Sequence, residues 1–240
     1  FVLTIAANGL ANGLPLAGRT TGEISALYPS PFTPAGFTFG IWAVIYLALT
    51  VFVIYQALPA QRRNVQVARI DNVFKFNCLS NALWIFAWHY EFLLLSLVLM
   101  AGILLSLVAI YRRLGIVNFA APLGQRLALQ LPFSLYTAWI SVASIANISA
   151  VQTAMALDDL GLSAVAWTLL KLALAGAIAA TVMARRADCV FVLVVAWAAF
   201  GISIKQSGTP AIAGGAIVLS LLGLLLVVLE LLRRLRARQL

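Results

Sequence analysis

The sequence is short of charge. Only 10% of its 240 residues are Asp, Glu, Lys or Arg, and seven of them are acidic. Soluble domains carry about 25% charged residues, so a soluble domain of any size is excluded. Histidine occurs once, at His89. That argues against an antenna holding many chlorophylls through histidine. The two cysteines, Cys78 and Cys189, both sit inside apolar segments. They fit neither a disulfide framework nor a cysteine metal site, and read as small buried hydrophobes. The motifs GxxxxGK[ST], HExxH, CxxC and GxSxG are absent, which removes the nucleotide, zinc-peptidase, dithiol and hydrolase readings they would carry. No carboxylate pair lies deep in an apolar segment, as a proton-coupled pump would need. No internal repeat marks an inverted-repeat transporter.

Apolar residues fill the rest, at 63% of the chain. They come in blocks long enough to cross a hydrocarbon core of about 30 Å, which takes about 20 helical residues each. Backbone groups in such a solvent must pair internally, so the blocks are helices or a closed barrel. Barrel strands alternate apolar and polar residues, and these blocks do not. The expected fold is all-α, a polytopic transmembrane bundle of about eight spans. The first runs from Phe1 to about Leu16, and the second from about Gly36 to Leu58. Asn72 to Trp88 and Glu91 to Tyr111 follow, then Leu127 to Val151. The last three cover Leu162 to Ala184, Cys189 to Lys205 and Pro210 to Leu232. Short connections favour antiparallel neighbours. Phe1 already stands inside an apolar run without a signal-cleavage pattern, so a start lost by processing or lying upstream is expected.

The net charge of +9 does not point to nucleic acid, because its distribution is a topology signal. Arg62, Arg63, Arg69 and Lys75 lie between or at the edges of spans two and three; Arg112, Arg113 and Arg126 lie between four and five. Arg185 and Arg186 follow span six, and Arg233, Arg234, Arg236 and Arg238 follow span eight. Together these are 13 of the 16 basic residues. With eight spans they share one face, cytoplasmic by the positive-inside rule, and so do both termini. The opposite face carries Glu23, Glu91, Asp158 and Asp159, with Arg19 as its clear basic residue. Asp158 and Asp159 read as a solvated turn. A bacterial inner membrane is the expected location. The one long outer connection, about Ala17 to Ala35, holds Pro29, Pro31 and Pro34. Prolines stiffen it, as an ordinary connector or as a lid over the outer mouth.

Some polar and aromatic residues fall into stripes. Asn77, Asn81 and Trp84 share one face of span three, and Trp88 extends it by a turn. Asparagine in lipid is costly unless paired, so this face turns inward, to bond neighbouring helices or to line a cavity. Trp42 and Tyr46 share a face of span two; Tyr136, Trp139 and Asn147 share one of span five. Aromatic walls with a few amides suit a flat, mostly apolar ligand. The same residues also serve as helix-to-helix glue and interfacial anchors. His89 reads as an interfacial polar tip, or less readily as a metal ligand to a tetrapyrrole. Lys171, near the middle of span six, either faces the bundle, a partner or water, or snorkels. Gly9 and Gly13 give span one a GxxxG spacing, and Ala173, Gly176, Ala177 and Ala180 make span six small-faced.

Three stretches together resemble the TspO/MBR family, the tryptophan-rich sensory proteins related to the mitochondrial translocator protein. They are Thr33-Pro34-Ala35-Gly36-Phe37-Thr38-Phe39-Gly40-Ile41-Trp42 continuing to Tyr46, then Asn77 to Trp88, then Tyr136, Trp139, Ala143 and Asn147. Phe37 stands where the family has a loop tryptophan. Leu135 replaces a proline, with Pro132 one turn earlier, and the spacing before Trp42 is one residue short. These departures bear on ligand identity more than on fold. The resemblance implies a five-helix core over residues 1–151, with an appended three-helix unit and basic tail over 152–240. It implies a receptor-like protein binding a tetrapyrrole such as porphyrin or haem, or a carotenoid or sterol. Pro34, Phe37, Trp42, Tyr46, Asn77, Asn81, Trp84, Trp88, Tyr136, Trp139 and Asn147 would line the site. Porphyrin chemistry has been linked to family members, but no acid-base constellation here supports an enzyme, and no metal site is expected. The expected partners are the bilayer, a lipophilic small molecule, and a homodimer or larger complex. The alternative is a non-catalytic accessory or structural subunit of a larger membrane assembly, one handling pigments for example.

Topology is open to a direct check. Reporter fusions after Arg63, Arg113, Arg186 and Arg238 should report cytoplasm, and fusions near Ser25 and Asp159 the outer side. One reversed site would break the eight-span arrangement.

Overall fold

The computed structural model describes residues 1–14, 16–117, 121–157 and 161–237. Asp158, Asp159 and Arg238, used above for topology, lie outside the described residues. In chain order the helices are α1 (Val2–Gly13), α2 (Thr21–Leu27), α3 (Ile41–Ala57), α4 (Val65–His89) and α5 (Leu93–Leu114). The single turn α6 (Leu123–Gln125) follows, then α7 (Leu131–Ala154), α8 (Ala164–Arg186), α9 (Cys189–Lys205) and α10 (Pro210–Arg236). Short 3-10 turns cover Leu16–Gly18, Gly36–Gly40 and Pro59–Gln61. No strand occurs among the described residues. The fold is a polytopic helical membrane bundle. By length and composition, five segments can cross a membrane: Gly36–Ala57, Leu93–Leu114, Leu123–Ala154, Ala164–Arg186 and Pro210–Arg236. Val2–Ala11 and Cys189–Lys205 are apolar but shorter. α4 is long but interrupted by Asp71, Asn72, Lys75, Asn77 and Asn81.

Two boundaries differ from the sequence reading. α4 begins at Val65, not Asn72, because Asn64 caps it. The Asn64 Oδ1 accepts from the backbone N–H of Gln66 at 2.9 Å and of Val67 at 3.4 Å. The extra turns are polar, which hid them from a search for apolar blocks. Span five begins irregularly: Arg126–Gln130 is π-helical and leads into α7. Pro132 in the first turn of α7 has no N–H to give the carbonyl four residues back. A wider turn accommodates that missing bond.

α7 is the central helix. Its apolar window is 67% buried, against 22% to 33% for the other four membrane-length segments. α5, α3 and α9 pack on it; α4 joins α1 to α5, and α8 and α10 pack on α9. The basic ends gather at one end of the bundle. Arg113 donates to the Arg69 carbonyl at 2.9 Å, Gln125 to Gln66 at 2.7 Å, and Arg234 to the Ala187 carbonyl. Asp188 stands at the same end, buried at the α8–α9 turn. One of its oxygens caps α9 through the Val190 and Phe191 N–H groups, both at 3.1 Å. The other accepts from the Tyr111 and Ser134 hydroxyls, both at 2.7 Å. One carboxylate thus ties α5, α7 and α9.

At the opposite end the long connection folds over the bundle. Its first half is α2, opened by a capping box: Thr20 Oγ1 accepts from the Glu23 N–H, and the Glu23 carboxylate accepts from the Thr20 N–H. Its second half sits on α9. Ala35 N–H donates to the Gly201 carbonyl at 3.0 Å, and the Trp197 indole to the Thr38 carbonyl at 3.2 Å. Phe37 packs edge-on against Trp197, with ring centres 5.4 Å apart. Thr38 presses on Gly201 so closely that a Cβ there would stand 2.0 Å from its Oγ1.

Gly201→Ala should therefore displace the loop and destabilise the fold by about 1–3 kcal/mol, the usual cost of overpacking. Thr38→Ala in the same chain should recover part of it. Thermal unfolding in detergent checks the pair; additive effects would show that the loop does not depend on this contact.

Candidate functional site

The amides of the inward stripes are paired first. Asn77 leaves the centre altogether: its Nδ2 donates to Ser106 Oγ at 2.8 Å and to the Ile103 carbonyl at 3.2 Å, both on α5. Asn81 sits one turn further on. Its Oδ1 accepts from Asn8 on α1 at 2.8 Å, and its Nδ2 donates to the Tyr136 hydroxyl on α7 at 2.7 Å. Asn147 donates to Ser96 Oγ at 3.1 Å, joining α7 to α5. Every one of these groups is buried. The asparagines of these two stripes, with Asn8, thus stitch α1, α4, α5 and α7 together through direct bonds.

The aromatic residues form walls above this layer. Trp84 and Trp88 stack with centres 5.9 Å apart and planes 17° apart. Trp42 stacks on Tyr46 at 5.3 Å and meets Tyr136 and Trp139 edge-on at 5.9 and 6.3 Å. Phe39 meets Trp139 edge-on at 5.9 Å. Two connected spaces lie between them. The inner one, about 40 Å³, is roofed by Thr21, Ser25 and Pro34 of the outer loop and walled by Phe39, Trp42, Trp84, Trp88, Trp139 and Asn147. The larger, about 320 Å³, adds Ile5, Asn8, Gly9, Gly40, Ala43 and Tyr46. Thr21, Phe39, Trp42 and Trp84 border both. Among the described residues, no Asp, Glu, Lys, Arg or His lines either space. The indole N–H groups of Trp84 and Trp139 are buried with no acceptor. The site therefore offers flat apolar faces and, among the described residues, buried donors without a hydrogen-bond partner on Trp84, Trp139 and Tyr46.

The loop is held to α4 as well. The Trp88 indole donates to the Thr21 carbonyl at 3.3 Å, and the Tyr28 hydroxyl to Glu91. Arg19 stands 3.6 Å from the same carboxylate. Burial, and then the bond to Glu91, push the Tyr28 phenol up to about 12.

Pro34, Trp42, Tyr46, Trp84, Trp88, Trp139 and Asn147 line these spaces. Four other residues of the sequence reading do not. Phe37 turns outward onto α9, because Trp197 and Phe200 offer it an aromatic seat. Asn77 is spent on α5. Asn81 and Tyr136 bond one another behind the Trp42 wall. His89 is buried, with Nδ1 against the Ile85 carbonyl at 2.8 Å, and it lines neither space. Lys171 lies 6.0 Å over the Trp167 ring on α8, away from the site. Sequence reasoning missed Thr21, Ser25, Met100 and Val142, which carry no signal of their own. It also missed Asn8, whose signal was an amide inside the first apolar run.

A family model described as TSPO-like protein matches residues 1–229, so the match runs on through α8, α9 and most of α10. No curated protein and no solved structure matches the chain.

Asn81→Ala would leave both Asn8 and Tyr136 without that partner. The Tyr136 hydroxyl loses its amide donor and Asn8 its bond across to α4, and the loss of a buried hydrogen-bond partner costs about 1–3 kcal/mol, so the melting point in detergent should drop clearly. A native-like melt would mean that this chain of amides does not hold α1, α4 and α7 together.

Proposed function

Because the chain belongs to the TSPO-like protein family, we propose that it is an integral membrane binding protein for a flat lipophilic molecule, with a tetrapyrrole such as porphyrin or haem as the first choice. A sterol or carotenoid is the alternative ligand. One observation carries the reading: four of the chain's six tryptophans, from three helices, converge on one cavity beneath a proline-bearing loop. Indole faces stack on a conjugated plane, and the indole N–H groups of Trp84 and Trp139 donate to a polar edge. Desolvating apolar surface at about 25 cal/mol per Å² supplies the drive. Ligand pockets span about 300–1,000 Å³. The space walled by the four tryptophans holds about 40 Å³ and its neighbour about 320 Å³, so a macrocycle requires the walls to part. Nothing lining it pairs an acid with a base, which favours binding over turnover. We place the basic end of the bundle at the cytoplasmic face of a bacterial plasma membrane, with both termini on that side.

Trp139→Ala removes one wall and should weaken porphyrin binding at least about tenfold, about 1.4 kcal/mol. Lys171→Leu should leave it nearly unchanged. Fluorescence titration measures both. A subunit of a larger assembly predicts the reverse: Trp139→Ala lowers stability only, and Lys171→Leu releases the chain from its partners. A native protein that quenches no porphyrin and co-purifies at fixed stoichiometry would overturn the binding reading.

A further inference from the structure

The cavity is closed from above and open from the side. The roof is fixed at both halves. Its second half bonds to α9 at Gly201 and Trp197, with no room left between Thr38 and Gly201. Phe32 is fully buried in the same contact, beside Leu172, Val195 and Ala198. The first half is tied to the end of α4 through Thr21 and Tyr28. Lifting such a loop means breaking bonds to two helices and exposing Phe32.

The side is different. α1 packs on α4 and α3 packs on α7, while α1 and α3 have at most a marginal contact. The larger space lies between them. On its border stand Gly9 of α1, Gly40 before α3, and Ala43 of α3. All three are exposed. A Cβ added at Gly9 or Gly40 would meet nothing within 4 Å. The smallest residues of both helices therefore edge the opening. The exposed residues around them are large and apolar: Leu3 and Leu10 on α1, Val44 and Leu47 on α3. Such a surface faces hydrocarbon, so the gap opens on lipid and not on water. Behind it stand Trp42, Tyr46 and Trp84, two of which also border the inner space.

We propose that the ligand reaches the cavity sideways, from the hydrocarbon of the bilayer between α1 and α3, and that the proline-bearing loop is a roof and not a door. The ligand class is then a lipophile already dissolved in the membrane. The proposal rests on reading the cavity as a ligand site. It gives α9 a role, since α9 holds the roof down. It also explains why a site roofed against water keeps a border of glycine and alanine.

The test uses the full chain in phosphatidylcholine vesicles, with protoporphyrin IX delivered from protein-free vesicles of the same lipid and tryptophan quenching as the readout. Gly9→Phe and Ala43→Phe each narrow the gap from one side and have space to do so. Each should slow association and dissociation by about tenfold while the ratio of the two rates, and so Kd, stays nearly constant. Tyr28→Phe frees the first half of the roof from Glu91 and should leave both rates as in the native chain. Native rates in both phenylalanine variants, or about tenfold faster association in Tyr28→Phe, would overturn lateral access and make the loop the door. A native chain that binds no porphyrin would overturn the site reading, and this proposal with it. A native chain that binds, with gap variants that do not slow, removes only the route.

Discussion

Inside a bilayer an amide has no water to turn to. A buried N–H or C=O left unpaired there costs several kcal/mol, so each inward asparagine must find a partner on another helix. The pairs observed are the frame of this protein. Asn8, Asn81 and Tyr136 link α1, α4 and α7; Asn77 with Ser106 links α4 and α5; Asn147 with Ser96 links α5 and α7. Apolar packing alone gives helices in lipid little reason to choose one neighbour over another. These bonds do choose, and they fix which faces of α4 and α7 meet. Once Asn81 and Tyr136 are joined, Trp84 and Trp139 are carried to the same level. The aromatic cavity is a consequence of the amide layer beneath it.

The loop depends on a second constraint, close approach. Gly201 lets the backbone of the loop lie directly on α9, and the Trp197 indole then reaches the Thr38 carbonyl. Neither α9 nor the loop explains its own sequence alone. A glycine in the interior of a helix costs about 1 kcal/mol relative to alanine, and Trp197 half-exposes a large ring. Both become sensible when the loop is laid across them. The family match extending to residue 229 accords with this, because α9 is a structural neighbour of the site's roof.

Much of the architecture was legible in the sequence, for physical reasons that can be traced. Long apolar blocks are read without tertiary information, so the helices emerged, with α4 clipped where its first turns are polar. The stripe Asn77, Asn81, Trp84, Trp88 correctly indicated an inward face. What periodicity does not contain is which inward residue meets a helix and which meets a space. Asn77 and Asn81 differ by one turn, yet neither lines the cavity directly, while Trp84 does. Phe37 lies within the stretch that resembles the family's loop, yet its ring is claimed by α9, a partner 160 residues away in character as well as position from anything local reading weighs. Asp188 was passed over for a related reason. It sits at a helix boundary, and only the fold shows that Tyr111 and Ser134 converge on it.

The two ends of the bundle are held by different interactions, and a cavity of about 210 Å³ borders Asp188 and Ser134 at the basic end. At the basic end, Asp188 accepts four hydrogen bonds from three helices, and its charge rests at the N-terminus of α9, where the helix dipole favours an anion. Deeper in, Phe52, Phe74 and Phe133 meet edge-on at 5.0 to 5.7 Å, all buried. Such interlocked rings leave no space to move into. The other end holds the cavity, two indole donors without acceptors and a slit edged by glycine and alanine. The α1–α3 side of that end is the least packed, since α1 and α3 have at most a marginal contact. The amide layer lies between the two regimes. It anchors α1 to α4 through Asn8, and that bond sets the register of α1 on α4.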